Sequence, residues 1–274
     1  MALFKMRDYE KEGSGVSKDT PTKRGIFAFF ENYFEHFWQL LTVNCWLVLL
    51  SIPVISSGLG SVGTTYIARS IITKQHSFGT SDFFDCVKKN LKQGFFAGII
   101  NLIITAVLAF STVYYAEAMI KAENTLSWET VCFGIVLFML IIFLMMNYYI
   151  WTLIITFKFS LKQVYVNSFK LSLIGFKNNL IIFACLLPFY AVFAAIILFF
   201  GNVGIVIAAF IMVCIFPTFR FLVIEHNIFP IIKKIMIDPY YEKHPDEDIE
   251  KRKKLGLDIP NDDNGQKSLF TDTI

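Results

Sequence analysis

Residues 130–157 read TVCFGIVLFMLIIFLMMNYYIWTLIITF, with no charged side chain from end to end. A helix or strand in a soluble core returns to polar residues every few positions. An uncharged apolar run longer than about 18 residues is instead the signature of a helix that crosses a bilayer. Three further stretches, 37–68, 93–116 and 178–219, also hold none of the chain's 25 basic and 22 acidic residues. Across all 274 residues, 55% are hydrophobic and 17% charged, whereas charged residues are about a quarter of a soluble domain. The chain therefore reads as an all-α, polytopic membrane protein. Secreted disulfide scaffolds, soluble dehydrogenases and compact nucleic-acid-binding domains are excluded, and a net charge of +3 gives no field for a polyanionic partner.

At 1.5 Å per residue a helix needs about 20 residues to cross a hydrocarbon core of roughly 30 Å. The runs 93–116 and 130–157 thus make one crossing each. The run 178–219 is too long for one crossing, and Gly201-Asn202-Val203-Gly204 interrupts it with residues that end helices and tolerate turns. It reads as a tight helical hairpin. Pro53 and the stretch Ser56-Ser57-Gly58-Leu59-Gly60-Ser61-Val62-Gly63-Thr64-Thr65 divide 37–68 into a span and a shorter small-residue segment, which either crosses or re-enters. Basic residues favour the cytoplasm, and they dominate segments 69–92 (Arg69, Lys74, Lys88, Lys89, Lys92) and 158–177 (Lys158, Lys162, Lys170, Lys177), whereas 117–129 sets Lys121 against three glutamates. The resulting expectation is about six spans, near 38–56, 58–72, 94–115, 130–156, 179–200 and 204–224, with both termini cytoplasmic. A polar tail at 1–24, with no cleavable signal peptide, precedes a helical domain at 25–238. A charged tail at 239–274 follows it. The segments 81–93 and 158–178, each basic and aromatic, read as amphipathic helices on the inner surface, and their 85-residue offset hints at a weak internal duplication.

The five cysteines form no CxxC pair, and the histidines His36, His76, His226 and His244 are scattered, with no HExxH. No nucleophile and base are paired. No catalytic, cofactor-binding or metal-ligating residue is expected, so neither enzyme activity nor a cofactor is. The polar residues inside the apolar runs, Asn44, Asn101, Asn147 and Asn202, read as interhelical hydrogen bonds or turn formers. Arg220 and Glu225, at the end of the last run, pair with each other or with headgroups. The glycine-rich stretch lacks the Gly-Lys-Ser/Thr ending of a phosphate loop. Its residues Ser57, Gly60, Ser61, Gly63 and Thr64 are small and helically spaced, the pattern that lets a second helix approach closely. Lys88, Lys89, Lys92, Lys170 and Lys177 are candidate contacts for a cytoplasmic partner. Asp246 to Lys254, an acidic then a basic block, reads as a solvated helix before a disordered end.

The aromatic start Phe29-Phe30 to Trp38, the span with Asn44 and Trp46, the break Ser51-Ile52-Pro53-Val54-Ile55, the Gly/Thr/Tyr segment through Tyr66, and Phe83-Phe84 with Lys89-Asn90-Leu91-Lys92-Gln93 together resemble the YesL-type family of bacterial integral membrane proteins. Asn167-Ser168-Phe169-Lys170 is similar to that family's second cytoplasmic helix. The resemblance covers about 25–235, and the two tails depart from it. It implies a place in the bacterial cell membrane beside carbohydrate importers of the ABC type, and it implies no catalytic residue. The functional expectation is a non-catalytic accessory subunit of an oligosaccharide or polysaccharide importer. Its partners would be membrane lipids, the permease subunits and, through them, an ATPase and a sugar-binding protein, with no nucleic acid. A stand-alone transporter or channel with its site at the Pro53 to Thr65 break, and a sensor acting through the C-terminal tail, are the alternatives.

Overall fold

A computed structural model describes residues 26–121 and 127–243. Every regular element among them is helical, so an all-α membrane architecture holds. The chain divides into two units, Met1–Glu35 and His36–Ile274. The first contributes α1 (Ile26–Glu35), whose Phe30 and Phe34 rings stack one turn apart. The expectations for the tail at 1–24 and for the segment beyond Lys243 lie outside the described residues.

The second unit runs α2 (Phe37–Ser51), α3 (Ser57–Ile72), α4 (Thr80–Lys89), α5 (Leu91–Lys121), α6 (Trp128–Thr156), α7 (Leu161–Ile174), α8 (Phe176–Cys214), α9 (Phe216–Ile232), a π turn at Lys233–Ile237 and α10 (Asp238–Lys243). Among the described residues three helices, α5, α6 and α8, are long and apolar enough to cross a membrane. α8 bends sharply at Gly201, whose φ of 53° and ψ of −129° leave the helical region. An L side chain there would be strained. Phe193 on the first arm meets Phe216, beyond the second, with ring centroids 5.4 Å apart, so the chain turns back on itself. A Cβ on Gly204 would lie 2.2 Å from the Ile196 carbonyl oxygen, which fixes how tight that turn is.

α3 is the most enclosed helix of this unit, in contact with α2, α4, α5, α6 and α9. Its small residues are the reason. A Cβ on Gly58 would stand 2.2 Å from the Gly94 carbonyl oxygen and 2.7 Å from the Gly98 Cα, one on Gly60 2.8 Å from Leu47, and one on Gly63 2.5 Å from the Phe83 ring. Each glycine therefore removes the atom that would hold a different neighbour away. The side chains of Ser61, Thr64 and Thr65 donate back to the carbonyls of Ser57, Gly60 and Ser61, so their hydroxyls are satisfied within the helix.

The segments expected at 38–56 and 58–72 form α2 and α3, helices of 15 and 16 residues and roughly 22–24 Å long, shorter than a hydrocarbon core of roughly 30 Å. Pro53 is the cause. The helix before it stops at Ser51, and Val54 takes a φ of 59° to turn the chain. The turn stands level with the second turn of α5, where Gly98 meets Gly58, and α5 continues from there to Lys121, roughly 35 Å further. Burial follows the same division. α5 buries only Gly94, Ala97, Gly98 and Asn101, and α6 only Phe143 and Tyr149 through Ile154. Beyond those ends, side chains such as Phe110, Phe138 and Phe199 are exposed. Burying each would gain about 1.5–3 kcal/mol, so these surfaces require an apolar surrounding.

Two helix junctions are built alike. α4 leads into α5 through Asn90 alone, and α7 leads into α8 through Gly175 alone. Gln93 and Asn178, 85 residues apart in sequence, donate their side-chain amides to the main-chain carbonyls of Phe159 and Asn227. α7 starts with a capping box in which Ser160 and Gln163 satisfy each other's backbone N–H groups.

Candidate functional site

Arg69 is the first charge after the uncharged run 37–68, and Glu225 follows the run 178–219. α3 and α9 pack directly together and bring the two into contact. Arg69 Nε lies 3.5 Å from Glu225 Oε2, with side-chain exposures of 7% and 0%. α6 completes the cluster. Arg69 donates to Thr156 Oγ1 and the Thr152 carbonyl, and Thr152 Oγ1 donates to Glu225 Oε1. The guanidinium also sits 4.8 Å from the centre of the Phe229 ring, a cation–π contact. A buried carboxylate needs a matching charge and hydrogen-bond donors, and here Arg69 meets one oxygen of Glu225 and Thr152 the other. Glu225 thus pairs with Arg69, not with Arg220. Arg69, which charge bias assigns to a loop, is a buried residue of α3.

A cavity of about 460 Å³ opens next to this cluster, between α2, α3, α6, the second arm of α8 and α9. Its polar lining is Ser51, Ser57, Ser61, Asn147, Trp151 and Arg220. Leu47, Val48, Met212 and Val213 supply apolar wall. Ser51 and Ser61 donate their hydroxyls to the carbonyls of Leu47 and Ser57, and Asn147 donates one amide N–H to the Phe143 carbonyl. The cavity and the ion pair occupy neighbouring turns of the same helices. Trp151 lines the one and Thr152 belongs to the other, while Phe221 stands one turn before Glu225 on α9.

The residues singled out from sequence fall into three groups. Gly60, Gly63 and Thr64 lie in the packed face of α3, whereas Ser57 and Ser61 line the cavity. Gly58, Gly94 and Gly98, which make the closest helix approach in this set, were not among them. Their signal is the pairing of a small-xxx-small step on α5 with a glycine on α3, visible only when the two are set side by side. Asn44 donates to the Val213 carbonyl, and Asn101 accepts from the Tyr165 hydroxyl, both bonds joining different helices. Lys88, Lys89, Lys92, Lys170 and Lys177 are all exposed on α4, α5, α7 and α8. Among the described residues no group of three His, Cys, Asp or Glu is placed to hold a metal ion.

No curated protein and no solved structure matches the chain. Residues 33–112 match the family described as "Protein of unknown function, DUF624". This match takes in α2, α3, α4 and most of α5, including Arg69 and the glycine contacts, while Glu225 and Arg220 lie beyond it. From α2 through most of α5 the chain is thus similar to that family, in a protein whose longest helices are suited to a membrane.

Proposed function

We propose that this protein is a non-catalytic membrane subunit of a bacterial ABC-type importer of oligosaccharides or polysaccharides, its long helices packed laterally against the permease spans. The observation that carries the reading is how little of those helices the chain covers itself. Only 17%, 6% and 17% of the most apolar stretches of α5, α6 and α8 are buried. Helices in lipid associate through packing and small-residue approach, and these faces leave room for that. The exposed lysines of α4, α5, α7 and α8 would face the cytoplasm and offer a contact to the importer's soluble parts. The sugar assignment comes from the resemblance to the YesL-type family, whose members carry the DUF624 domain matched at residues 33–112. The multi-pass arrangement in the plasma membrane belongs to the same proposal.

Affinity purification in mild detergent from native membranes, with mass spectrometry of what accompanies the chain, tests it. Stoichiometric recovery of permease subunits and an ATPase is the expected result. Recovery of the chain alone, under conditions that preserve other membrane complexes, would reject it. A second reading, a stand-alone transporter, draws on the cavity at the Ser51 to Ser61 break. Solute flux in proteoliposomes holding only this chain would support it.

A further inference from the structure

We propose that the cavity between α2, α3, α6 and α9 binds an anionic, phosphate-bearing molecule through Arg220. Arg220 differs from Arg69 in one respect that matters. Among the described residues it has no ion pair and no hydrogen bond; its guanidinium lies 5.8 Å from the centre of the Phe221 ring and close enough to Tyr148 to act on it electrostatically. It is half-buried and lines the cavity. A guanidinium is permanently charged and carries five N–H donors in a fork suited to phosphate. A cation left without a partner among membrane-type helices is costly and marks a ligand or ion contact.

The rest of the lining agrees with an oxyanion carrying hydroxyl groups. The Ser57 hydroxyl and the Trp151 indole N–H have no partner among the described residues, and Asn147 keeps one amide N–H after its bond to Phe143. With Arg220 these form a set of unspent donors, and among the described residues no carboxylate lines the cavity. Ser57 also opens α3, so the positive end of that helix lies at the same wall. Ser51 and Ser61, already donating to their own helices, can only accept, which suits the hydroxyls of a glycerol or sugar moiety. At about 460 Å³ the space exceeds what a bare ion fills and falls in the range of small-ligand sites. Two sources of that chemistry exist, the headgroup of an anionic phospholipid and a soluble glycerol or sugar phosphate. The inference is independent of the importer reading, since it concerns the isolated chain.

The test is ligand-dependent thermal stability of the purified full chain in neutral detergent. The probes are phosphatidylglycerol, glycerol 3-phosphate, and phosphatidylcholine as the lipid without net charge. Phosphatidylglycerol or glycerol 3-phosphate is expected to raise the midpoint saturably, with phosphatidylcholine ineffective. Arg220→Gln is expected to weaken the apparent affinity by at least about tenfold, the order of one charge-assisted pair. Arg220→Lys should retain part of it, and Lys92→Gln, at an exposed lysine of α5 outside the cavity, should retain all. A response to the lipid alone assigns the site to headgroups, and a response to glycerol 3-phosphate assigns it to a soluble phosphate. If Arg220→Gln fails to fold, Ser57→Ala with Asn147→Ala reads the same loss without removing the cation. Equal responses in the wild type and the cavity variants, or no response to either anionic probe, would overturn the proposal.

Discussion

Glu225→Ala should be among the most damaging single substitutions in this protein, because it strands Arg69. The carboxylate is fully buried, Arg69 is 7% exposed, and the two stand 3.5 Å apart with Thr152 and Thr156 filling the remaining sites. Removing one member of such a pair leaves an uncompensated buried charge and costs about 3–5 kcal/mol. At roughly 2–4 °C per kcal/mol for chains near this size, the midpoint should fall by roughly 6–20 °C. Arg69→Met should do similar harm by stranding Glu225. The double variant Arg69→Met with Glu225→Ala removes both charges together. Thr152 Oγ1 can then turn back to a carbonyl of its own helix, as Thr156 already does. The double variant should therefore melt above either single one, a coupling that independent sites would not give. Thermal unfolding in detergent, followed by loss of monodispersity and of helical circular dichroism, reads all four proteins. A Glu225→Ala midpoint within a degree or two of the wild type, or a double variant as unstable as the sum of the singles, would refute the reasoning.

Other expectations follow from the same contacts. Gly58→Ala, whose new Cβ would meet the Gly94 carbonyl oxygen at 2.2 Å, should destabilise by about 1–3 kcal/mol, whereas Gly134→Ala on α6, with nothing within 4 Å, should be neutral or slightly stabilising; parallel melting curves decide. Gly60→Leu should prevent the approach of α3 to Leu47 and impair folding, read as loss of the monodisperse species. Because the α2–α3 turn reaches only the second turn of α5, Val54→Cys, in a background without the five native cysteines, should resist impermeant maleimide added outside intact cells; efficient labelling from outside would establish two full crossings instead. Burial on α4 pushes the Cys86 thiol up to about 11 from 9.0. Its thiolate is then about a hundredfold scarcer at neutral pH, so Cys86 should alkylate far more slowly than a cysteine placed at the exposed Asp85 and gain reactivity as pH approaches 11.

The uncharged runs by themselves determined that the long helices belong in an apolar solvent, because a helix that meets no charge over 24 residues or more leaves nothing for water to hold. Sequence alone also placed the reversal at Gly201 and the break at Pro53, since both depend on the backbone freedom of single residues. The depth of α2 and α3 was not legible. Counting apolar residues measures length along the chain, and only the meeting of Gly58 with Gly94 and Gly98 sets how far the hairpin reaches beside α5. The charges divide in the same way. Loop-charge counting treats Arg69 as one basic residue among five, and local spacing points Glu225 toward Arg220. The partner that actually neutralises Glu225 lies 156 residues away and is delivered by the packing of α3 on α9. Among the described residues, that same packing leaves Arg220 without a counter-charge in a cavity. Electrostatic pairing in a protein interior is decided by which helices touch, and touching is a property of the tertiary fold.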